Sequence, residues 1–173
     1  IGFALLSQPQ PTSFLGNLDA RKSEALQYAA NHGEQRMGRV LALLAEGQTL
    51  DAGAIEALTD TLEGIEARRD CSDFVMVPLL WAYGAFAERF PLALAERTRL
   101  AILNYRYWVD EPGNDTMWFW SENHVLCFHV SEYIAGGLFP DEVFPNSGLT
   151  GQQHRALAET RMLRWYDSVE AHG

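Results

Sequence analysis

Apolar side chains recur along this chain at spacings of three and four residues, the period of helices that bury one face, and no segment reads as a convincing strand. A stripe of Leu26, Ala29, Ala30, Met37, Val40, Leu41 and Leu44 predicts a first helix with Asp19 as its N-cap, running to about residue 46. Gly33 is a point where it kinks or splits, and Gly47 is a natural stop. Asp51 caps a second helix on Ile55, Leu58, Leu62 and Ile65, ending near Arg69. A third starts at Ser72 or Asp73 and carries Pro78 in an early turn. Phe74, Val77, Leu80, Trp81 and Phe86 make it apolar on most sides, which predicts a largely buried helix. The Phe90-Pro91 break opens a fourth helix over about 94–108, followed by a loop over 109–120 with Pro112, Gly113 and Asn114. A fifth runs from about 121 to 135, with Gly136 and Gly137 as its end and a long loop over 138–149. Thr150 with Gln153 forms a capping-box pattern for a sixth helix to about 171.

With residues 1–16 as an irregular lead-in, this pattern predicts one all-α domain over 1–173, six helices paired as three antiparallel αα-hairpins. The two long loops flank the fifth helix, and long loops in compact domains carry function disproportionately.

Composition adds limits. The chain has 173 residues, 47% hydrophobic and 21% charged, which is globular composition. A formal net charge of -10 disfavours nucleic acid and anionic membrane surfaces as partners, since both need a basic face. Residues 107–154 hold seven acids and no Lys or Arg, so a polyanion there requires a basic group from elsewhere in the fold. No run of about twenty apolar residues suggests a membrane span. Cys71 and Cys127 sit in apolar helical contexts and are expected as buried free thiols. With no CxxC and no zinc-site spacing, no metal and no cofactor are expected. Residues 1–6 are apolar but lack a basic flank, a poor signal peptide. Without an initiator Met, the chain reads as a processed product or a piece of a longer protein.

The densest chemistry lies in Trp118-Phe119-Trp120-Ser121-Glu122-Asn123-His124, followed on the fifth helix by His129, Glu132 and Tyr133. At about 100° per residue, Glu122, His129 and Tyr133 share one stripe within roughly 40°, a candidate acid–base set or a polar network tying the helix to its neighbours. Asn123 and His124 stand in the first turn, where free N–H groups favour an anion or oxyanion, and Ser121 is the expected N-cap. Trp118, Trp120 and Trp108 are candidate stacking faces for a sugar ring, or core. In 68–74, Arg68-Arg69-Asp70-Cys71-Ser72-Asp73-Phe74, the residues suit a helix–helix turn, with a functional Asp as the alternative. The last helix, with Arg155, Arg161, Arg164, Glu159, Asp167 and Glu170, reads as a solvated face on which Arg164 is a candidate ligand contact.

The segment 118–140 resembles polysaccharide lyases of the (α/α) toroid type, the hyaluronate and chondroitin AC lyases. His124 and Tyr133 have the spacing of that family's catalytic His and Tyr, and Gly136-Gly137-Leu138-Phe139-Pro140 follows as it does there. The Asn123-His124 pair resembles the alginate lyases of toroid type. Asp70-Cys71-x-Asp73-Phe74 together with Met117 to His124 is similar to uncharacterised bacterial toroid-like proteins. The resemblance implies part of an (α/α) toroid and a carbohydrate-active protein acting on a poly- or oligosaccharide. His124 or Tyr133 would remove the proton α to a uronate carboxyl, and Asn123 would help neutralise that carboxyl. Secretion or periplasmic placement would follow from such an activity. Residues nine apart on one helix point about 180° apart, so this reading requires His124 to precede the regular helix. Two alternatives stand beside it. One is a glycoside hydrolase using a carboxylate pair, Glu122 with Asp115 or Asp141. The other is a non-catalytic helical scaffold or protein-interaction module.

Overall fold

The computed structural model describes residues 17–34 and 36–172; the lead-in expected over 1–16 lies outside them. Among the described residues there are seven α-helices and no strand: α1 Leu18–His32, α2 Met37–Ala45, α3 Ala52–Glu66, α4 Ser72–Phe86, α5 Leu92–Leu103, α6 Glu122–Leu138 and α7 Gly151–His172. A 3-10 turn, Ala87–Arg89, joins α4 to α5. No helix among the described residues is long and apolar enough to cross a membrane. The all-α expectation holds, with one more helix than the hydrophobic period gives. The first predicted helix divides at Gly33, whose backbone is extended and whose N–H closes α1 on the Ala29 carbonyl at 3.0 Å. Asp19 lies inside α1 rather than capping it, and Asn17 occupies the N-cap position without a side-chain bond.

Two predicted punctuation marks work as their chemistry requires. Asp51 accepts the Ala54 N–H at 2.9 Å and holds both terminal guanidinium nitrogens of Arg39, Nη1 at 2.9 and Nη2 at 2.6 Å. Thr150 and Gln153 form the reciprocal capping box, Gln153 N–H to Thr150 Oγ1 at 3.3 Å and Thr150 N–H to Gln153 Oε1 at 2.8 Å.

Consecutive helices pack on one another in the pairs α1/α2, α2/α3, α3/α4 and α6/α7, while α2/α4, α3/α5 and α4/α6 tie the two halves of the chain together. The core is one cluster, from Val40, Leu44, Leu58 and Leu62 through Met76 and Leu80 to Ile102, Tyr105, Tyr107 and Phe128. α4 is less enclosed than its composition predicts, because Phe74 and Trp81 remain exposed.

The fourth predicted helix stops five residues early, at Leu103. Tyr105 and Tyr107 are both buried just past its end. The Tyr107 hydroxyl donates to the Ile102 carbonyl at 2.8 Å, and the Tyr105 hydroxyl lies 2.8 Å from Ser72 Oγ. Between them Arg106 gathers the following loop: its Nε donates to the Glu111 carbonyl at 2.9 Å, Nη2 to the Val109 carbonyl at 2.8 Å and Nη1 to Asp115 at 3.2 Å. A buried guanidinium thus organises a segment that its Pro, Gly and Asn content marks only as a loop.

The fifth helix overruns its predicted end. Gly136 and Gly137 lie within α6, which continues to Leu138. Gly136 is there because α7 begins against it: a Cβ at that position would press on the Gly151 carbonyl oxygen and stand 2.8 Å from the Arg155 amide nitrogen. Gly151 is matched to the same contact, with the carbonyls of Phe139 and Gly136 where its own Cβ would go. Gly137 is exposed and meets only the Arg155 side chain, at 3.7 Å. Gly136→Ala is therefore expected to cost about 1–3 kcal/mol by forcing the two helices apart. Gly137→Ala is expected to be neutral or to stabilise by up to ~1 kcal/mol through helix propensity. Urea unfolding of both variants beside the parent checks this; equal effects at the two positions would refute the close-approach account.

Candidate functional site

The α3–α4 turn brings the residues of 68–74 into unusual backbone. Arg68 and Cys71 both have positive φ, 49° and 63°, a left-handed conformation that costs a residue with a Cβ. Arg68 is fixed by bonds to the Asn104 carbonyl at 2.9 Å and Asn146 Oδ1 at 2.8 Å. Cys71 is an exposed free thiol rather than the buried one expected, and Cys127 is half-buried. With the chain so turned, Asp73 enters the first turn of α4 with its side chain buried.

Opposite Asp73 stands His124. Its Nδ1 lies 3.0 Å from Asp73 Oδ1 and 2.9 Å from Oδ2, and its ring packs on Phe74 at 4.5 Å between centroids. Burial pushes the Asp73 carboxyl above its ordinary range, while the imidazole and the first-turn amides of α4 pull it back. A carboxylate on Nδ1 places the proton there and leaves Nε2 as the lone-pair nitrogen. His124 lies within α6, in its first turn, and not ahead of the helix as the lyase spacing requires. Tyr133, nine residues on, is therefore about 13.5 Å further along the axis and on the opposite side. Its hydroxyl accepts from Arg155 Nη2 at 2.9 Å, and that guanidinium covers its ring at 4.7 Å.

The segment before α6 leads in sequence directly into the turn that carries His124. Met117 and Phe119 are buried; Trp118 and Trp120 are exposed, at 51% and 68% of their surface. Phe119 stacks on Phe128 at 4.4 Å and so holds the alternation in place. This alternation has a period of two and puts Trp118 and Trp120 on one side of the segment. Ser121 occupies the N-cap position without a side-chain bond, and Asn123 Oδ1 accepts the His124 N–H at 3.1 Å instead. Asn123 and Glu122 are exposed.

The other predicted residues go elsewhere. Asp115 is taken by Arg106 at 3.2 Å and Arg68 at 3.8 Å, and Asp141 accepts from Gln152 at 3.1 Å, so neither is assembled with Glu122 as a carboxylate pair. His129 packs against the Trp108 indole at 4.3 Å on the side of α6 that meets α7. Arg164 is exposed on α7 and so is Arg155, which reaches Tyr133 of α6 along the surface, whereas Arg161 turns inward to Glu132 rather than joining the expected solvated face.

A buried network on that same side is the feature the sequence reading missed. Glu132, with 0% of its surface exposed, pairs with His154 Nδ1 at 2.8 Å and accepts from Arg161 Nη1 at 2.9 Å. Arg161 Nη2 reaches Asp110 at 2.7 Å, and His154 Nε2 lies 2.6 Å from Ser147 Oγ. Glu111, raised in pKa by burial, joins with ligand atoms within 4.8 Å of those of Glu132 and His154. Three such groups can hold a metal ion, but each already has protein partners: the Tyr107 N–H at 3.1 Å and Asn146 Nδ2 at 2.8 Å occupy Glu111. The chemistry of the set is that of a neutralised polar core. The one signal available in sequence was a Glu and a His in apolar registers of α6 and α7, which no local rule connects.

His129 offers a measurable consequence. Burial, with the Arg161 charge, lowers its pKa from 6.5 to about 4. The unfolded chain then takes up a proton between those values and the folded protein does not, so stability falls as pH drops through that window. From pH 7 to pH 5 the loss from this group is ~2 kcal/mol. Urea unfolding of His129→Leu is expected to show that much less acid sensitivity than the parent; an identical pH dependence would refute it.

No family model, curated protein or solved structure matches this chain, and the chemistry of the site is read from its geometry.

Proposed function

We propose that this chain is part of an (α/α) toroid that binds a glycan and cleaves it by β-elimination, with His124 as the base. The observation that carries this reading is the His124–Asp73 pair, a buried carboxylate on the Nδ1 of an imidazole, in the first turn of the helix that the exposed Trp118 and Trp120 precede in sequence. A carboxylate so placed orients the ring and stabilises the imidazolium formed when Nε2 takes a proton. The reaction removes the proton α to a uronate carboxyl, forms the carbon–carbon double bond and breaks the glycosidic C–O bond at the β carbon. The leaving oxygen then takes a proton from the imidazolium or from water. Asn123 spends its Oδ1 on the His124 N–H, which leaves its amide N–H groups to bind the substrate carboxyl. Trp118 and Trp120 supply stacking faces for sugar rings. Tyr133, held by Arg155 on the far side of α6, has no part in the step.

The purified protein is incubated with a panel of acidic polysaccharides and the ultraviolet absorbance of the unsaturated uronate is followed. A rise is expected that His124→Ala abolishes, that Asp73→Asn slows by ~10²–10⁴-fold, and that Tyr133→Phe largely retains. Full activity in His124→Ala, or no unsaturated product from any member of the panel, would sink the proposal.

A further inference from the structure

On the face of α6 turned away from His124, a cavity of ≈ 440 Å³ opens between α6, α7 and the loop after α5. Its apolar lining is Trp108, Val125 and Leu157. Two residues of its lining, Trp165 and His129, each carry a polar atom without a partner. Trp165 Nε1 is buried with no hydrogen-bond partner, and so is His129 Nδ1, on a side chain only 3% exposed by residue. Arg164, one helical step from Trp165, makes no ion pair or hydrogen bond among the described residues. The remaining groups are satisfied internally: Arg161 is bound to Glu132 and Asp110, which also neutralises Asp110 at the rim, and Thr160 Oγ1 donates to the Ala156 carbonyl at 3.0 Å.

An indole N–H and a guanidinium can only donate. A buried donor without an acceptor is costly, and the two free donors, Trp165 Nε1 and Arg164, select a ligand that brings acceptor oxygens, while the neutral His129 ring nitrogen donates or accepts according to its tautomer. Trp108 across the cavity, itself packed on His129 at 4.3 Å, offers a ring face. The volume suits a single ring with one substituent. We propose that this cavity binds a small molecule carrying a carboxylate on a ring, the carboxylate bridging Arg164 and Trp165 Nε1 and the ring lying against Trp108. An aromatic carboxylate and a uronic acid both fit these groups in shape, and the test separates the two. The site uses none of the groups assigned to the β-elimination, so it stands or falls independently of that reading.

The chain has five Trp, so its indole N–H signals form a small set in a nitrogen–proton correlation spectrum. The Trp165 signal is identified by its loss in Trp165→Phe. The intact protein is titrated with benzoate, glucuronate, benzyl alcohol and inorganic phosphate. The expected result is a saturable shift of the Trp165 signal with benzoate or glucuronate, the responding one naming the ring. Benzyl alcohol should leave the signal in place, and phosphate should bind more weakly than the responding carboxylate. Arg164→Gln, at an exposed position without partners to lose, should raise that Kd at least roughly tenfold. No shift with either carboxylate, an equal response to benzyl alcohol, stronger binding of phosphate, or an unchanged Kd in Arg164→Gln would each overturn the proposal.

Discussion

A carboxylate cannot be taken out of water without compensation, and Glu132 on α6 is taken out completely. Its partners, His154 and Arg161, both come from α7, and Arg161 continues to Asp110 in the loop after α5. One buried charge therefore ties three segments in a single relative orientation. Removing one partner of such a set costs about 3–5 kcal/mol, because the charge left behind has no water to turn to. The close approach at Gly136 and Gly151 acts in the same direction, since only two glycines let the start of α7 press on the end of α6.

The rotation of α6 about its own axis follows from that anchoring. With Glu132 and His129 turned to α7, the adjoining face, with Phe128 and Ala135 in the core, is turned to α4. His124 is carried on this second face and meets Asp73 from the first turn of α4. The acid–base pair is thus a product of two helix termini that are 51 residues apart in sequence. The stripe of Glu122, His129 and Tyr133, which looks catalytic on a helical wheel, mostly ties α6 to its neighbours: Tyr133 to Arg155 of α7 and His129 to Trp108 in the loop after α5.

The acidic stretch over 107–154 raised the question of what would neutralise a polyanion, or the stretch itself. Arginines from outside it supply the answer. Arg106 holds Asp115, Arg161 holds Asp110 and Glu132, and Arg99 reaches Glu142 at 3.1 Å. Four acids of the stretch, Asp110, Asp115, Glu132 and Glu142, are thereby paired with arginine, while Glu122 next to Trp120 in sequence stays exposed.

Periodicity of apolar residues determined the helical class and the positions of most helices, because a helix that buries one face must repeat at its own pitch. Local chemistry determined the Asp51 cap and the Thr150–Gln153 box, where donor and acceptor are three residues apart. It also marked 118–124 as unusual, and Trp118 and Trp120 do stand exposed. Local chemistry failed wherever a partner was distant. Gly136 looked like a helix end and is a contact point; Leu103 looked like mid-helix and is an end, with Tyr105 and Tyr107 buried just beyond it. Arg161 looked solvated and neutralises a buried acid. Asp73 with His124, and Glu132 with His154 and Arg161, were decided by tertiary structure alone. Ionic and hydrogen-bonded pairs act through space over about 3 Å, and a linear pattern holds no record of which residues the packing of helices will bring that close.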